Sequence, residues 1–143
     1  MTQVDCFQIF PLGVIRKRNT AVTIEVHEKY GDALLGLDQF SHIIVCSWFH
    51  KNDTPHERKV LQVHPRGNRK NPLTGVFATR SPMRPNLISI SVCKILSIHR
   101  NTISVDKIDT IDGTPVIDIK PYIPRIDSIP DSKIPEWVKK RGQ

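Results

Sequence analysis

Val22, Ile24 and Val26 alternate with Thr23, Glu25 and His27, the period-two pattern of a strand that buries one face, and the polar half of the pattern predicts an edge position in a sheet. Residues 41–50 read Ser-His-Ile-Ile-Val-Cys-Ser-Trp-Phe-His. So many β-branched and aromatic side chains predict a central strand, buried on both faces in its middle. Further strands are expected at 60–63, 75–79, 88–95, 102–108 and 116–119. Helical signal is scarce: a short turn at 32–36, and another after Pro135, where a proline at the first helical position costs little because its nitrogen has no intrahelical partner. Five of the eleven prolines lie between Pro115 and Pro135, so the C-terminal stretch is expected to be extended. Short strands separated by turns, without long amphipathic helices between them, argue against a doubly wound parallel sheet and for a mostly β barrel or sandwich.

A chain of 143 residues with 38% hydrophobic content suits one core. The expectation is one domain over 1–143, with its core at about 6–126 and a tail at 127–143. The formal net charge of +7 favours an anionic partner, because clustered Lys and Arg attract polyanions. Cys6, Cys46 and Cys93 are odd in number and far apart, unlike the disulfide framework of a small secreted protein. No apolar run approaches the roughly 18 residues of a membrane helix, and none resembles a leader peptide. A soluble, cytoplasmic protein without membrane association is the expectation.

Several chemistries find no support. His42, Cys46 and His50 are spaced for one face of a helix, but their neighbours specify a strand. Four residues of strand span roughly 13 Å, too far for one ion to bridge, so no metal is expected. A cysteine inside an apolar run packs as a small hydrophobe. There is no phosphate-binding glycine loop and no Gly-x-Ser-x-Gly elbow, which leaves nucleotide hydrolysis and serine hydrolysis without a signal. Residues 51–74 are rich in Lys, Arg, His, Asn and Pro and read as an exposed basic loop, solvated or gripping phosphates. Arg80 and Arg84 stand four apart in Thr-Arg-Ser-Pro-Met-Arg-Pro-Asn. They suit a carboxylate or phosphate, or else decorate a structural turn. The acidic cluster Asp106, Asp109 and Asp112 offers either turn-forming side chains or acceptors for a ligand.

Together, Gly13-Val-Ile-Arg16, Leu35-Gly-Leu-Asp-Gln-Phe-Ser41-His42, Trp48-Phe49-His50, the stretch 75–86 and Asp112-Gly-Thr-Pro-Val-Ile-Asp118-Ile-Lys120-Pro-Tyr122 resemble the TsaA-like, also called TrmO-like, family of S-adenosylmethionine-dependent tRNA methyltransferases. The resemblance spans most of 8–124. It implies a compact β-barrel homodimer that binds S-adenosylmethionine near the subunit interface and methylates N6 of threonylcarbamoyl-modified adenosine beside the tRNA anticodon. By position it implies cofactor contacts at Ser41, His42, Phe77, Leu87 and the run Asp106, Lys107, Ile108 and Asp109. Arg80, Arg84 and Asn86 fall in the signature beside that pocket, with Arg84, Asn86 and Lys120 placed toward substrate. Methyl transfer by in-line displacement depends chiefly on alignment of the reactants. Arg80, Asp112, Asp118 and Tyr122 are the polar residues expected at the reaction, with no dedicated base named among them.

The chain departs from the family where Arg-Pro-Asn-Pro-Ile-Gly is usual: it has Leu87 and Ser89 instead. Loss of proline frees a backbone dihedral, and loss of glycine bars close approach or a positive φ, so ligand fit at this turn is expected to differ. Several members also carry a further C-terminal domain after Lys-Pro-Tyr. Competing readings are methylation of a small molecule or another RNA position, a non-catalytic S-adenosylmethionine-binding module, and a cofactor-free RNA-binding barrel. The last would need several exposed aromatics, and only 6% of residues are aromatic.

Overall fold

A computed structural model describes residues 5–139 of the chain. Eight strands are present: β1 (Gly13–Arg18), β2 (Ala21–Val26), β3 (His42–Trp48), β4 (Gln62–Val63), β5 (Thr74–Gly75), β6 (Ile88–His99), β7 (Thr102–Val105) and β8 (Pro115–Pro121). Six of them close into an antiparallel barrel in the order β1-β2-β7-β6-β3-β8, with β8 returning to β1. Alternate side chains point inward. Ile15, Ile24, Val26, Ile43, Val45, Cys93, Ile103, Val105 and Val116 form the core, the arrangement that fills small barrels.

Closure corrects two expectations. β2 is not an edge, because it is hydrogen-bonded to β1 on one side and β7 on the other; its polar half marks the outer wall of a closed sheet, which has no edges. In β3, Ile43, Val45 and Ser47 are buried, whereas His42, Ile44, Cys46 and Trp48 are half-buried on the outer wall. The strand therefore has one fully buried face, not two. β1 has no counterpart in the expected strands, since Arg16, Lys17 and Arg18 hide an alternation that only Gly13 and Ile15 carry inward. Gly13 is required there by close approach: a Cβ would lie 2.5 Å from the carbonyl oxygen of Glu25.

Other boundaries move as well. The strands expected at 60–63 and 75–79 shrink to a two-residue ladder in which Gln62 pairs with Gly75 and Val63 with Thr74, and Val76–Ala78 turns into a 3-10 helix. The strand at 102–108 ends at Val105, because the Asp106 carboxylate takes the Lys94 amide in place of a ladder partner. β6 runs on to His99, past the expected end at 95. A 3-10 helix at Glu28–Leu34 covers the first expected turn. Three four-residue helices complete the described chain: α1 (Pro55–Arg58), α2 (Pro124–Asp127) and α3 (Glu136–Lys139). α2 corrects the wholly extended C-terminal stretch, since Pro124 opens a helix where proline is tolerated.

β6 reverses the usual polarity of a barrel strand. Ser89 and Cys93 are buried, and the Ser89 hydroxyl is hydrogen-bonded to that of Ser47 across β3. Ile88, Ile90 and Val92 stand on the outer wall, each about half exposed, beside the outward positions of β3.

Candidate active site

The turn between β5 and β6 carries the Arg80 and Arg84 signature, and its shape is set by hydrogen bonds. Thr79 Oγ1 donates to the Val76 carbonyl and accepts the Ser81 amide, and Ser81 Oγ accepts the Met83 amide. Arg84 turns back onto the same segment, with Nη1 donating to the carbonyl oxygens of Thr79 at 3.2 Å and Ser81 at 3.1 Å. A guanidinium held this way stabilises the turn. Arg80 is exposed and has no hydrogen bond or ion pair among the described residues, so its charge is available to a ligand. The two arginines expected to act alike thus have different surroundings.

Arg80 and Arg84 line a cavity of about 270 Å³ with Phe49, Thr79, Asp109 and Thr110 on the loops and Ile88–Ser91 on β6. Thr110 is 7% exposed, and its Oγ1 is buried without a hydrogen-bond partner among the described residues. An unsatisfied buried hydroxyl costs about 1–3 kcal/mol. Leu87 and Ile108 are core side chains, 0% and 6% exposed, so only their backbone can face a ligand. Both residues that depart from the family pattern are buried: Leu87 is fully buried just before β6, and Ser89 bonds Ser47 at an ordinary backbone φ.

A second group gathers where β3 begins. His42 lies opposite Lys94 of β6, Ser41 Oγ is 2.7 Å from His42 Nδ1, and the Tyr122 ring sits edge-on to the imidazole at 6.2 Å. Asp106 joins them through Lys94. The amide of Lys94 donates to its carboxylate at 2.9 Å and that of Lys107 at 2.8 Å. These bonds, Lys94 foremost, hold the Asp106 carboxyl below the usual carboxylate range. Because β7 runs antiparallel to β6, the following residues track β6 from Lys94 back toward the small cavity, where Asp109 and Thr110 line the wall. The segment Asp106–Thr110 therefore connects the two groups.

The remaining expected residues are dispersed. Asp112 accepts the Lys17 amide on β1 at 2.8 Å, a long-range contact instead of the local turn bond expected of this cluster. Asp118 and Lys120 form an exposed ion pair of 3.5 Å on β8 beside Cys46. Burial first, and then Asp118, push the Cys46 thiol up. Arg80, Asp112, Asp118 and Tyr122 are thus not one constellation within a single subunit. Asn86 is exposed, and its carbonyl accepts the Ile88 amide. Phe77, 82% exposed, lines a separate cleft and not the small cavity. His42, Cys46 and His50 form no metal-holding group among the described residues.

Two residues that sequence reasoning missed are Thr110 and Arg58. Arg58 lies over the Trp48 ring, pairs with Asp53 at 3.2 Å and donates from Nε to the Pro85 carbonyl at 2.9 Å, which ties the signature turn to the end of β3. Neither has a sequence signal: Arg58 is one more cation in a basic loop, and Thr110 one more hydroxyl in a turn.

The small closed barrel is similar to crystal structures of TrmO: one from Pseudomonas aeruginosa superposes with a TM-score of 0.75 at 28% identity, covering 96% of this chain and 64% of that one. The chain thus spans less than two thirds of that protein. Residues 8–128 match the tRNA-methyltransferase O N-terminal domain family, and the chain belongs to it. Relatives include a protein of Methanocaldococcus jannaschii named a probable S-adenosyl-L-methionine-binding protein, 46% identical over 85% of this chain and 96% of that one. A Pyrococcus horikoshii protein with the same description is 49% identical over 86% of this chain and 88% of that one. The mouse tRNA (adenine(37)-N6)-methyltransferase is 44% identical over 67% of this chain and 22% of its own.

Proposed function

We propose that the chain is an S-adenosylmethionine-dependent methyltransferase acting on N6 of adenosine beside the tRNA anticodon, with the threonylcarbamoyl-modified base as acceptor. The observation that carries this reading is the small cavity, lined by Arg80, whose guanidinium has no partner among the described residues, together with Asp109 and Thr110. Names of the relatives support the cofactor and the tRNA position.

The donor set fits the cofactor, which needs a cation for its carboxylate and acceptors for its ammonium and ribose hydroxyls. S-adenosylmethionine, when bound, supplies an electrophilic methyl group. Arg80, Asp109 and Thr110 would hold one end of it, and Asp106, Ser41 and His42 the other. The cavity is slightly smaller than the roughly 300–1,000 Å³ of most ligand pockets. A second subunit completes it in this proposal. Ile88 and Ile90 of the half-exposed row Ile88, Ile90 and Val92 line the cavity, and two such rows meeting across a two-fold axis would bury a self-complementary apolar surface. Dimerisation would also bring Asp118, Lys120 and Tyr122 of one outer wall toward a partner's cavity. Protein groups then align the acceptor nitrogen and leave its proton to water or a nearby carboxylate.

The test incubates the purified protein with labelled S-adenosylmethionine and tRNA from a host lacking its gene, followed by nucleoside mass spectrometry. Label on threonylcarbamoyladenosine is expected. Cofactor binding without a labelled nucleoside would overturn the tRNA reading and favour a binding module or a small-molecule acceptor.

A further inference from the structure

A cleft of about 1190 Å³ adjoins the small cavity and shares Thr79 and Arg80 with it. Its walls are the end of β4 with the turn that follows, the Phe77–Met83 segment, and α3 with the residue Ile134 before it. Among the described residues, three cations, Arg66, Arg80 and Lys139, line it, and no carboxylate does. Two aromatic residues from different segments line it as well: Phe77 of the Phe77–Met83 segment and the half-buried Trp137 of α3. Hydrogen bonds brace the β4 side, where His64 Nδ1 lies 2.9 Å from the Asn71 carbonyl and Asn71 Nδ2 donates to the Pro65 carbonyl. Lys139 is paired with Glu136 at 2.8 Å on the surface of α3. Such exposed pairs are worth about 0–1 kcal/mol and yield readily to a phosphate.

We infer that this cleft binds the unpaired nucleotides flanking the base being modified, with Trp137 stacking on one of them and Arg66 and Lys139 contacting phosphates. The inference rests on the tRNA reading and adds to it a site for the neighbouring nucleotides. A cation-lined groove with aromatic platforms is the arrangement that holds single-stranded nucleic acid. Because Arg80 stands at the junction, a strand in the cleft would deliver its next base into the small cavity. An acidic peptide would satisfy the cations, but it would leave the two aromatic walls without flat partners. The chain's net charge of +7 points the same way.

The experiment measures binding of a fluorescent anticodon stem-loop RNA to the full chain and to Trp137→Ala and Trp137→Phe, with cofactor affinity followed by calorimetry and folding by thermal melts. Loss of one stacked base weakens binding by about five- to 150-fold. The alanine variant should show a loss in that range, the phenylalanine variant should retain most of the affinity, and S-adenosylmethionine binding should be unchanged in both. Lys139→Gln should lower the slope of log affinity against log salt by about one. Unchanged RNA affinity in Trp137→Ala would overturn the inference. So would an equal loss of cofactor affinity, which would make the cleft a cofactor site, or a change in sedimentation alone, which would make it a subunit contact. Trp137-dependent RNA binding without methyl transfer would uphold the cleft and overturn the catalytic reading instead.

Discussion

At the residue scale, function turns on which polar groups are already satisfied. Arg84 is engaged by two carbonyls of its own turn and Arg80 by none among the described residues. Arg80→Ala should therefore weaken S-adenosylmethionine binding by roughly ten- to 150-fold, the range for loss of a hydrogen bond between charged groups, and lower methyl transfer at limiting cofactor, while the melting temperature stays near that of the parent. Thr110→Val removes the unsatisfied hydroxyl at nearly constant volume. It should weaken S-adenosylmethionine binding by about tenfold and leave unfolding free energy equal or higher, as titration calorimetry and urea melts would report. Burial first, and then Asp106, push the Cys93 thiol up to about 11. The folded state thus holds a proton that the unfolded chain gives up from about pH 8.5. Stability from this group is present below that pH and lost as pH rises toward 11. Cys93→Ala should consequently lose its stability deficit relative to the parent between about pH 9 and 11, measured by paired urea titrations.

At the scale of elements, the inward and outward faces of β3 and β6 predict opposite responses. Ile43 is fully buried, and Ile43→Ala should cost about 2–5 kcal/mol in urea unfolding, the range for large-to-small changes in a packed core. The alternation of β2 and the β-branched run of β3 were legible in sequence because burial in a barrel has a period of two. β1 was not, since three consecutive cations mask its register and the need for Gly13 comes from the backbone of β2. The sequence leaves the Asp106 turn open between a structural and a ligand-binding role; in the fold its carboxylate accepts the amides of Lys94 and Lys107, while its neighbours Asp109 and Thr110 line the cavity.

Across the whole molecule, closure of the barrel and assembly are separate questions. The row on β6 is left half exposed by the described residues. If two copies meet there, Ile90→Asp should convert a dimer to a folded monomer in sedimentation velocity and reduce methyl transfer with it; a variant that remained a dimer would place the interface elsewhere. No helix among the described residues is long and apolar enough to cross a membrane.

What the sequence determined by itself was local and periodic: a mostly β chain, a basic character, the signature turn and the family it belongs to, all of which depend on neighbouring residues or on motifs read in order. What only the tertiary structure decided was closure, the reversed polarity of β6, the separate surroundings of Arg80 and Arg84, and the meeting of Thr110 with Arg80 across thirty positions of chain. The physical reason is that a hydrogen-bond partner or a cavity wall is supplied by whichever strand lies alongside, and strand order in a closed sheet is set by the packing of all six at once.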